Sequence, residues 1–430
     1  MKSAWETRLQ SVAARKFAFI LFGAVLLVFA VVPILHCLRG QSIKDYFVWF
    51  EAGRAVLHGK EVYPPPAAQK FPFMYPPPCA IFLAPLSALG QLGLIIALVF
   101  VNAAAWITSI RLSVRLATGR SHGAHLLVYV IPNLIIVVYV WSNFLLGQPS
   151  LLLLALMLGA FCLLQKGREI SAGVVVALAA AIKAFPALAL IYLIYRRFWL
   201  AAASLAVMLA ALLILLPAPF RGFEIAKQDL GRWSSGMLFK YDENGVAQRA
   251  GRSNSWRNQS IWGVANRMLR HIESDPAFGP HKAVYSNFAD LKFSTVNALI
   301  LGAGLLLGLA YITALPAKAN RTPATDAIEF ALLLLLILIF TPLSFGYLYA
   351  WLLYPFTVVV ERFLRAPNRP LLIFSGLAVA LLALTIPFRI GAQTYGNTFL
   401  ATLTLFVGLV AELWRMRRAP TGALADTPAE

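Results

Sequence analysis

The sequence predicts an all-α polytopic membrane protein, and three observations carry that prediction. Hydrophobic residues make up 60 % of the 430-residue chain and charged residues only 13 %, too few to cover a soluble surface of that size. Mean hydropathy is +0.74. Apolar runs long enough to cross a hydrocarbon core, about 20 residues each, recur along the chain. A formal net charge of +19 accompanies them. The basic residues stand in short clusters at the ends of apolar runs, which is the positive-inside pattern of cytoplasmic loops rather than a nucleic-acid footprint.

The first run is 17–35, behind Lys2, Arg8, Arg15 and Lys16. No A-x-A-like cleavage site follows it, so it reads as a retained first span. With the N-terminus inside, 36–77 becomes an outer loop, 91–110 returns to Arg111, Arg115 and Arg120, and 126–142 leaves again. Gly147-Gln148-Pro149-Ser150 makes a tight outer turn, and 151–164 comes back to Lys166 and Arg168. Residues 170–195 then pose a conflict, because a single crossing there would place Arg196-Arg197 outside. A pair of short helices that enters and returns removes the conflict. Lys183-Ala184-Phe185-Pro186 supplies the break, since proline lacks a backbone donor and disfavours a helical residue before it. The alternative is one straight span with Lys183 reaching to an interface. Irregular backbone at depth is tolerated only against protein or a polar cavity, and a charge there is costly, so Lys183 becomes a functional candidate.

With the pair in place, 198–217 goes out, 218–292 is a long outer loop, and 293–315 returns to Lys318 and Arg321. Runs 327–341, 345–360, 371–387 and 396–414 complete the set, with Arg362, Arg365, Arg369, Arg415, Arg417 and Arg418 inside. The expectation is a bundle of about 10–12 transmembrane helices with both termini cytoplasmic. The tail 419–430 has a disordered composition. Cys37, Cys79 and Cys162 form an odd, widely spaced set that implies neither a disulfide nor a metal site.

Polar and aromatic residues concentrate on the predicted outer side. Tyr46 to Leu57 reads as an amphipathic helix lying at the interface, with Asp45 at or near its N-cap. The Pro-rich stretches Val62–Pro66 and Phe71–Pro78 read as an extended outer strap, and Trp49, Tyr63, Tyr75, Trp233 and Trp256 mostly as headgroup-level anchors. Arg249 to Arg257, with Trp256 and Asn258-Gln259, is the strongest basic cluster, and arginine grips phosphate oxygens through two donors. His58, His122, His125, His271 and His281 show no H-E-x-x-H spacing, and Asp242, Glu243, Asp275 and Asp290 are scattered, so no bound metal is predicted. No G-x-x-x-x-G-K-[ST] is present to hydrolyse a nucleotide.

The order Asp45…Tyr46-x-Val48-x-x-x-Ala52-Gly53-x-x-x-Leu57-x-Gly59-x-x-x-Tyr63…Pro72-Phe73-x-Tyr75-Pro76-Pro77 resembles the signature of glycosyltransferase family 87. These integral-membrane enzymes of the GT-C class include a polyprenyl-phosphate-mannose-dependent α-1,2-mannosyltransferase. Gly147-Gln148 before a Leu-rich span, Gly173…Lys183-Ala184-Phe185-Pro186…Arg196-Arg197, and Asn258-Gln259-Ser260-Ile261-Trp262-Gly263 followed by Arg267 are similar to further family segments. Thr341-Pro342-Leu343-Ser344-Phe345 stands where the family has S-P-x-S-W, but the histidines that commonly follow are replaced by Gly346-Tyr347-Leu348-Tyr349. That departure leaves donor identity and part of the mechanism open.

The resemblance implies a GT-C-type helical bundle over 17–414, flanked by cytoplasmic 1–16 and 415–430. It implies transfer of a sugar, mannose first among candidates, from a polyprenyl-phosphate carrier to an envelope glycolipid or glycan, with inversion. Asp45 coincides with the catalytic aspartate and is expected to act as general base. Lys183, Arg249, Arg252, Arg257, Asn258, Gln259, Arg267, Gln148, Tyr75, Ser344 and Tyr347 are the expected donor-phosphate and substrate contacts. No cofactor is expected, a divalent ion on the carrier phosphate staying open. The partners are the lipid donor, the acceptor and the bilayer, with no nucleic acid. The expected place is a bacterial-type plasma membrane with the active site facing the periplasm. A flippase for lipid-linked glycans or a non-catalytic assembly partner would share the span count. A transporter, however, wants its polar groups at the midplane, whereas this chain loads them into outer loops.

Overall fold

The structure is a computed structural model that describes residues 11–41, 44–64, 72–121, 123–249, 251–275 and 283–418. Lys2, Arg8, the tip of the strap and the 419–430 tail lie outside the described residues. Seven helices are long and apolar enough to cross a bilayer: Val12–Leu38, Gly90–Thr118, Leu126–Leu146, Trp199–Arg221, Phe293–Ala314, Pro323–Phe340 and Asn397–Arg418. Shorter apolar helices stand between them, among them Ser150–Gln165, Glu169–Ile182 and Arg369–Ala383. The 345–360 run reaches span length by joining a 3₁₀ stretch, Gly346–Leu352, to the helix Leu353–Arg365. Among the described residues the only sheet is a hairpin of two-residue strands, Tyr241–Asp242 and Gly245–Val246. The chain is therefore an all-α polytopic membrane protein, and its apolar surface is what lipid solvates.

The 170–195 segment is broken, as its flanking charges require. Helix Glu169–Ile182 stops at Lys183, whose backbone is extended (φ −152, ψ 123). A 3₁₀ turn, Phe185–Leu188, holds Pro186, and Ala189–Tyr195 runs on from it. The direction of travel is fixed by contacts near the helix starts. Ser204 Oγ donates to the Ile170 carbonyl at 3.1 Å. A Cβ added at Gly173 would lie 2.0 Å from Ser204 Oγ and 2.2 Å from the Ala201 carbonyl oxygen, so glycine lets the two backbones touch. Helices Glu169–Ile182 and Trp199–Ala210 thus start at the same end of the bundle. A straight crossing between them would put their starts at opposite ends.

Arg196 closes this end. Its Nε donates to Glu329 Oε1 at 2.6 Å, its Nη2 pairs with Glu329 Oε2, and its Nη1 donates to the Pro316 carbonyl at 2.9 Å. Tyr192 donates to the same carboxylate at 2.7 Å. Glu329 is fully buried, so removing one partner would leave a charge with no water to take it, a loss of about 3–5 kcal/mol. The same end holds Arg365, whose Nη2 donates to the Thr118 carbonyl at 2.8 Å, and the Arg362–Glu412 pair at 3.0 Å. The basic clusters gather here as the charge pattern predicts.

The opposite, loop end differs from expectation. The expected helix exists as Lys44–Leu57, two residues longer at its start, and Asp45 sits in its first turn, as expected of a residue at or near the N-cap. Its inner face packs on protein. Tyr46, Trp49, Ala52 and Val56 are buried, and Gly53 packs so closely on Leu83 and Ser87 that a Cβ would meet the Leu83 carbonyl oxygen at 2.8 Å. What it packs on is a helix hidden in the Pro-rich run, Pro77–Ser87. Pro77 and Pro78 occupy its first positions, where a missing N–H costs nothing. The expected anchors face inward as well: Tyr63, Tyr75, Trp233 and Trp256 are all buried. Trp49 and Tyr75 lie 4.2 Å apart by ring centroids, with Phe73 edge-on to Trp49 at 6.1 Å. The long loop folds down on this cluster through Phe223–Met237, where Trp233 Nε1 donates to the Met74 carbonyl at 3.3 Å. Arg221 pairs with Asp229 at 3.0 Å beneath it.

Candidate active site

Asp45 is held by the tight turn predicted at 147–150. Helix Leu126–Leu146 ends on Gly147 with φ +68, a left-handed conformation that glycine adopts without strain. A side chain there would also strike the Tyr46 ring, 2.6 Å from a built Cβ. Tyr46 donates to the Phe144 carbonyl at 2.8 Å, which seats Asp45 beside the turn. Gln148 then bridges: its Nε2 donates to Asp45 Oδ2 at 2.7 Å, and its Oε1 accepts from the Tyr75 hydroxyl at 3.0 Å. Tyr63 donates to the Tyr75 carbonyl at 2.6 Å. Burial pushes the Tyr75 phenol well above its ordinary range, so it keeps the proton it donates. An amide donor fixes one carboxylate oxygen without transferring a proton to it. Asp45 is left ionisable and oriented.

Lys183 reaches the same place from the broken pair. Its Nζ is buried and makes no hydrogen bond among the described residues. Aromatic faces surround it, with ring centroids of Tyr347 at 4.8 Å, Tyr75 at 5.3 Å and Phe185 at 5.8 Å. Asp45 and Arg249 lie within electrostatic reach of the ammonium, as does the buried Cys79. Tyr347 is in turn close to Asp45 and Arg249. Asn143 fixes the Tyr347 backbone by donating to its carbonyl at 2.8 Å. Arg249 comes from the long loop, with Nε 3.2 Å from Met74 Sδ and its guanidinium 5.9 Å from the Phe345 centroid. Asp45, Tyr75, Gln148, Lys183, Arg249 and Tyr347 therefore converge from five separate segments.

The remaining expected contacts serve elsewhere. Asn258 is fully enclosed; its Nδ2 donates to the Ser253 and Pro342 carbonyls at 2.7 and 2.9 Å, and its Oδ1 accepts from the Ser260 and Ser344 amides at 3.2 and 2.9 Å. Gln259 donates to the Trp256 and Gln393 carbonyls, both at 2.6 Å. Ser344 Oγ donates to the Leu338 carbonyl at 2.8 Å, and the Ser344 carbonyl accepts from the Gln259 amide at 2.8 Å. The two motifs are a clasp that ties the long loop to the 341–349 segment. Arg267 is also enclosed, and its guanidinium donates to the carbonyls of Thr394, Asn254, Ser255, Asn258, Gly263 and Gln393. Burial lowers its pKa to about 9, still above neutrality. All three guanidinium nitrogens donate to backbone oxygens, and the side chain is fully enclosed. Arg267, Asn258, Gln259 and Ser344, expected as phosphate or substrate contacts, are thus enclosed and hydrogen-bonded within the protein.

Arg252 and Arg257 lie in the same loop and flank the 253–256 stretch that the clasp holds. Arg257 is exposed and stacks on Trp256, 4.5 Å from its centroid. Sequence reading missed Tyr46, Met74, Cys79 and Phe345 around the site. They are apolar or singly polar residues whose roles depend on contacts far away in the chain. It also missed Arg389, which reaches Trp256 from the 389–394 turn. Among the described residues no three His, Cys, Asp or Glu side chains gather as metal ligands would.

A half-buried carboxylate within electrostatic reach of a buried ammonium, with aromatic rings and one guanidinium close by, suits an acid–base step next to a developing anion. Comparison with known proteins agrees in class: the family model described as glycosyltransferase family 87 matches residues 73–342. No curated protein and no solved structure matches the chain.

Proposed function

The chain belongs to glycosyltransferase family 87, and from that premise we propose that it moves a sugar, mannose first, from a polyprenyl-phosphate carrier to an envelope glycolipid or glycan. Asp45 takes the proton of the acceptor hydroxyl as that oxygen bonds to the anomeric carbon. The bond from the anomeric carbon to the phosphate oxygen breaks on the opposite face, so the configuration inverts. The departing carrier phosphate gains a negative charge, which the ammonium of Lys183 and the guanidinium of Arg249 offset. Tyr347 and Tyr75 line the space between base and cation. The loop end then faces the outside of a bacterial-type plasma membrane, and both termini are cytoplasmic.

One observation supports the reading above the others. Lys183 Nζ is buried without a hydrogen-bonding partner in a pocket shared with Asp45. An unpaired buried cation is costly unless a ligand anion completes it. The test is turnover of a polyprenyl-phosphate-linked mannose by purified protein and by Asp45→Asn. The amide keeps size and helix position but cannot accept the proton, so transfer is expected to fall about 10²–10⁴-fold with insertion and yield unchanged. Near-normal turnover by a folded Asp45→Asn protein removes Asp45 from the mechanism.

A further inference from the structure

A cavity of about 440 Å³ opens on the loop end, lined by Glu243, Arg270, His271, Asp290, Lys292 and Phe293, none of which belongs to the Asp45 pocket. Three segments build it. Arg270 follows the helix Ile261–Leu269, and its Nη1 donates to the Glu243 carbonyl at 3.0 Å and to Asn266 Oδ1 at 2.9 Å. These bonds hold the 241–246 hairpin against the helix, while the guanidinium lies over Phe293, 5.0 Å from its centroid. Asp290 Oδ1 accepts the His271 amide at 3.1 Å, and the Leu291 amide donates to the Leu269 carbonyl at 2.7 Å, which fixes the third segment. His271 stacks on Tyr285 with ring centroids 4.1 Å apart. The cavity thus gathers two carboxylates, an ammonium and a guanidinium, and none of the four has an ion-pair partner among the described residues.

Its place against the bilayer limits what can fill it. Lys292 precedes the span Phe293–Ala314, and Phe293 and Ser294 open it, so the cavity lies where hydrocarbon gives way to headgroups. Ser294, which also lines the cavity, shares one face of that helix with Leu301, Leu305 and Leu309, which follow about two, three and four turns later. Those leucines are 62, 77 and 58 % exposed, an open track for acyl chains in line with the cavity. Cations and carboxylates side by side match a headgroup that carries both signs. The two acids favour a primary ammonium, which donates hydrogen bonds to them, over a quaternary one, which donates none and seeks aromatic faces.

We propose that this cavity binds the headgroup of a zwitterionic bilayer phospholipid with a primary ammonium. Its phosphate meets Arg270 and Lys292, its ammonium meets Glu243 and Asp290, and its acyl chains run along Leu301, Leu305 and Leu309. Such a lipid is a resident of the site, neither sugar donor nor acceptor, so the proposal stands apart from sugar transfer. Full-length protein in detergent is titrated with dihexanoyl phosphatidylethanolamine, dihexanoyl phosphatidylcholine, dihexanoyl phosphatidylglycerol and free phosphoethanolamine. Wild type should bind the ethanolamine lipid about tenfold more tightly than the other two lipids, the scale of one charged hydrogen bond. Glu243→Gln and Asp290→Asn should each remove most of that preference, since a neutral amide attracts the ammonium no more than water does. Lys292→Gln should weaken all three lipids about tenfold and keep the preference. Lys227→Gln, an exposed change on Phe223–Met237 outside the cavity, should alter nothing. Glu243, Asp290 and Lys292 are exposed, so thermal midpoints without lipid should hold, and if one carboxylate variant loses stability the other carries the test. Equal affinity for the three lipids, or tighter binding of the glycerol lipid, overturns the proposal. So does a preference that survives in a folded carboxylate variant. Free phosphoethanolamine binding as tightly as the lipid overturns it too, because the cavity would then serve a soluble ligand.

Discussion

Two cations show how differently a buried charge can be used. Lys183 has no hydrogen-bonding partner, whereas Arg267 has six carbonyls. Lys183→Met keeps most of the stem and deletes the charge. Affinity for a non-hydrolysable carrier-phosphate analogue should fall by roughly 1.5–3 kcal/mol, the contribution of a hydrogen bond to a charged group. Stability should hold or rise, because an uncompensated charge has left a low-dielectric site. Equal analogue affinity in wild type and variant would end the phosphate role. Arg267→Met should do the reverse. It strips donors from buried carbonyls in three segments, so the thermal midpoint should drop with about 3–5 kcal/mol of stability lost, while protein that still folds keeps its analogue affinity. From sequence alone both look like phosphate ligands. Only the distribution of backbone oxygens around them, set by long-range packing, separates the two.

At the scale of single elements, the turn after Leu126–Leu146 is the most constrained. Gly147→Ala meets two penalties, a left-handed backbone worth about 1–2 kcal/mol and a Cβ 2.6 Å from the Tyr46 ring. Moving Tyr46 moves Asp45, its neighbour, and releases Gln148 from it. The expected outcome is a lower thermal midpoint together with lost transfer. Gly23→Ala, where nothing lies within 4 Å of the added carbon, should change neither. Much of this element-scale order was legible beforehand. The charge conflict at Arg196-Arg197 and the proline at 186 together gave the broken pair, and the amphipathic run gave Lys44–Leu57. The helix Pro77–Ser87 was not legible, because proline reads as a breaker until it is seen to occupy a first turn. The inward aromatics were missed for a related reason. Tyr and Trp beside a membrane have the same composition whether they face headgroups or the Pro77–Ser87 helix.

For the molecule as a whole, the bundle has a basic end and a loop end, and the proposed function requires the loop end outside. Gln228 is exposed on Phe223–Met237 at the loop end, and Ala319 is exposed in the 318–320 turn at the basic end. In a background without the natural cysteines, Gln228→Cys should react with an impermeant thiol reagent applied to intact cells. Ala319→Cys should react only after permeabilisation. Labelling of Ala319→Cys alone in intact cells would reverse the orientation and the outward-facing site with it. The grouping of basic clusters at one end followed from the sequence because each cluster sits next to its own span. The placing of Lys183 and Arg249 beside Asp45 did not, since it joins the Lys44–Leu57 helix, the break at 183 and the long loop.

The ion pair between Arg196 and Glu329 has a consequence for how the protein is made. When residues 170–195 leave the ribosome, they offer the insertion machinery a continuous apolar stretch of full spanning length. The carboxylate that holds Arg196 at the basic end is 133 positions further along the chain and does not yet exist. This lock can therefore close only when Pro323–Phe340 arrives and delivers Glu329, so the segment that carries Lys183 gains it late, after the helices before it have been made.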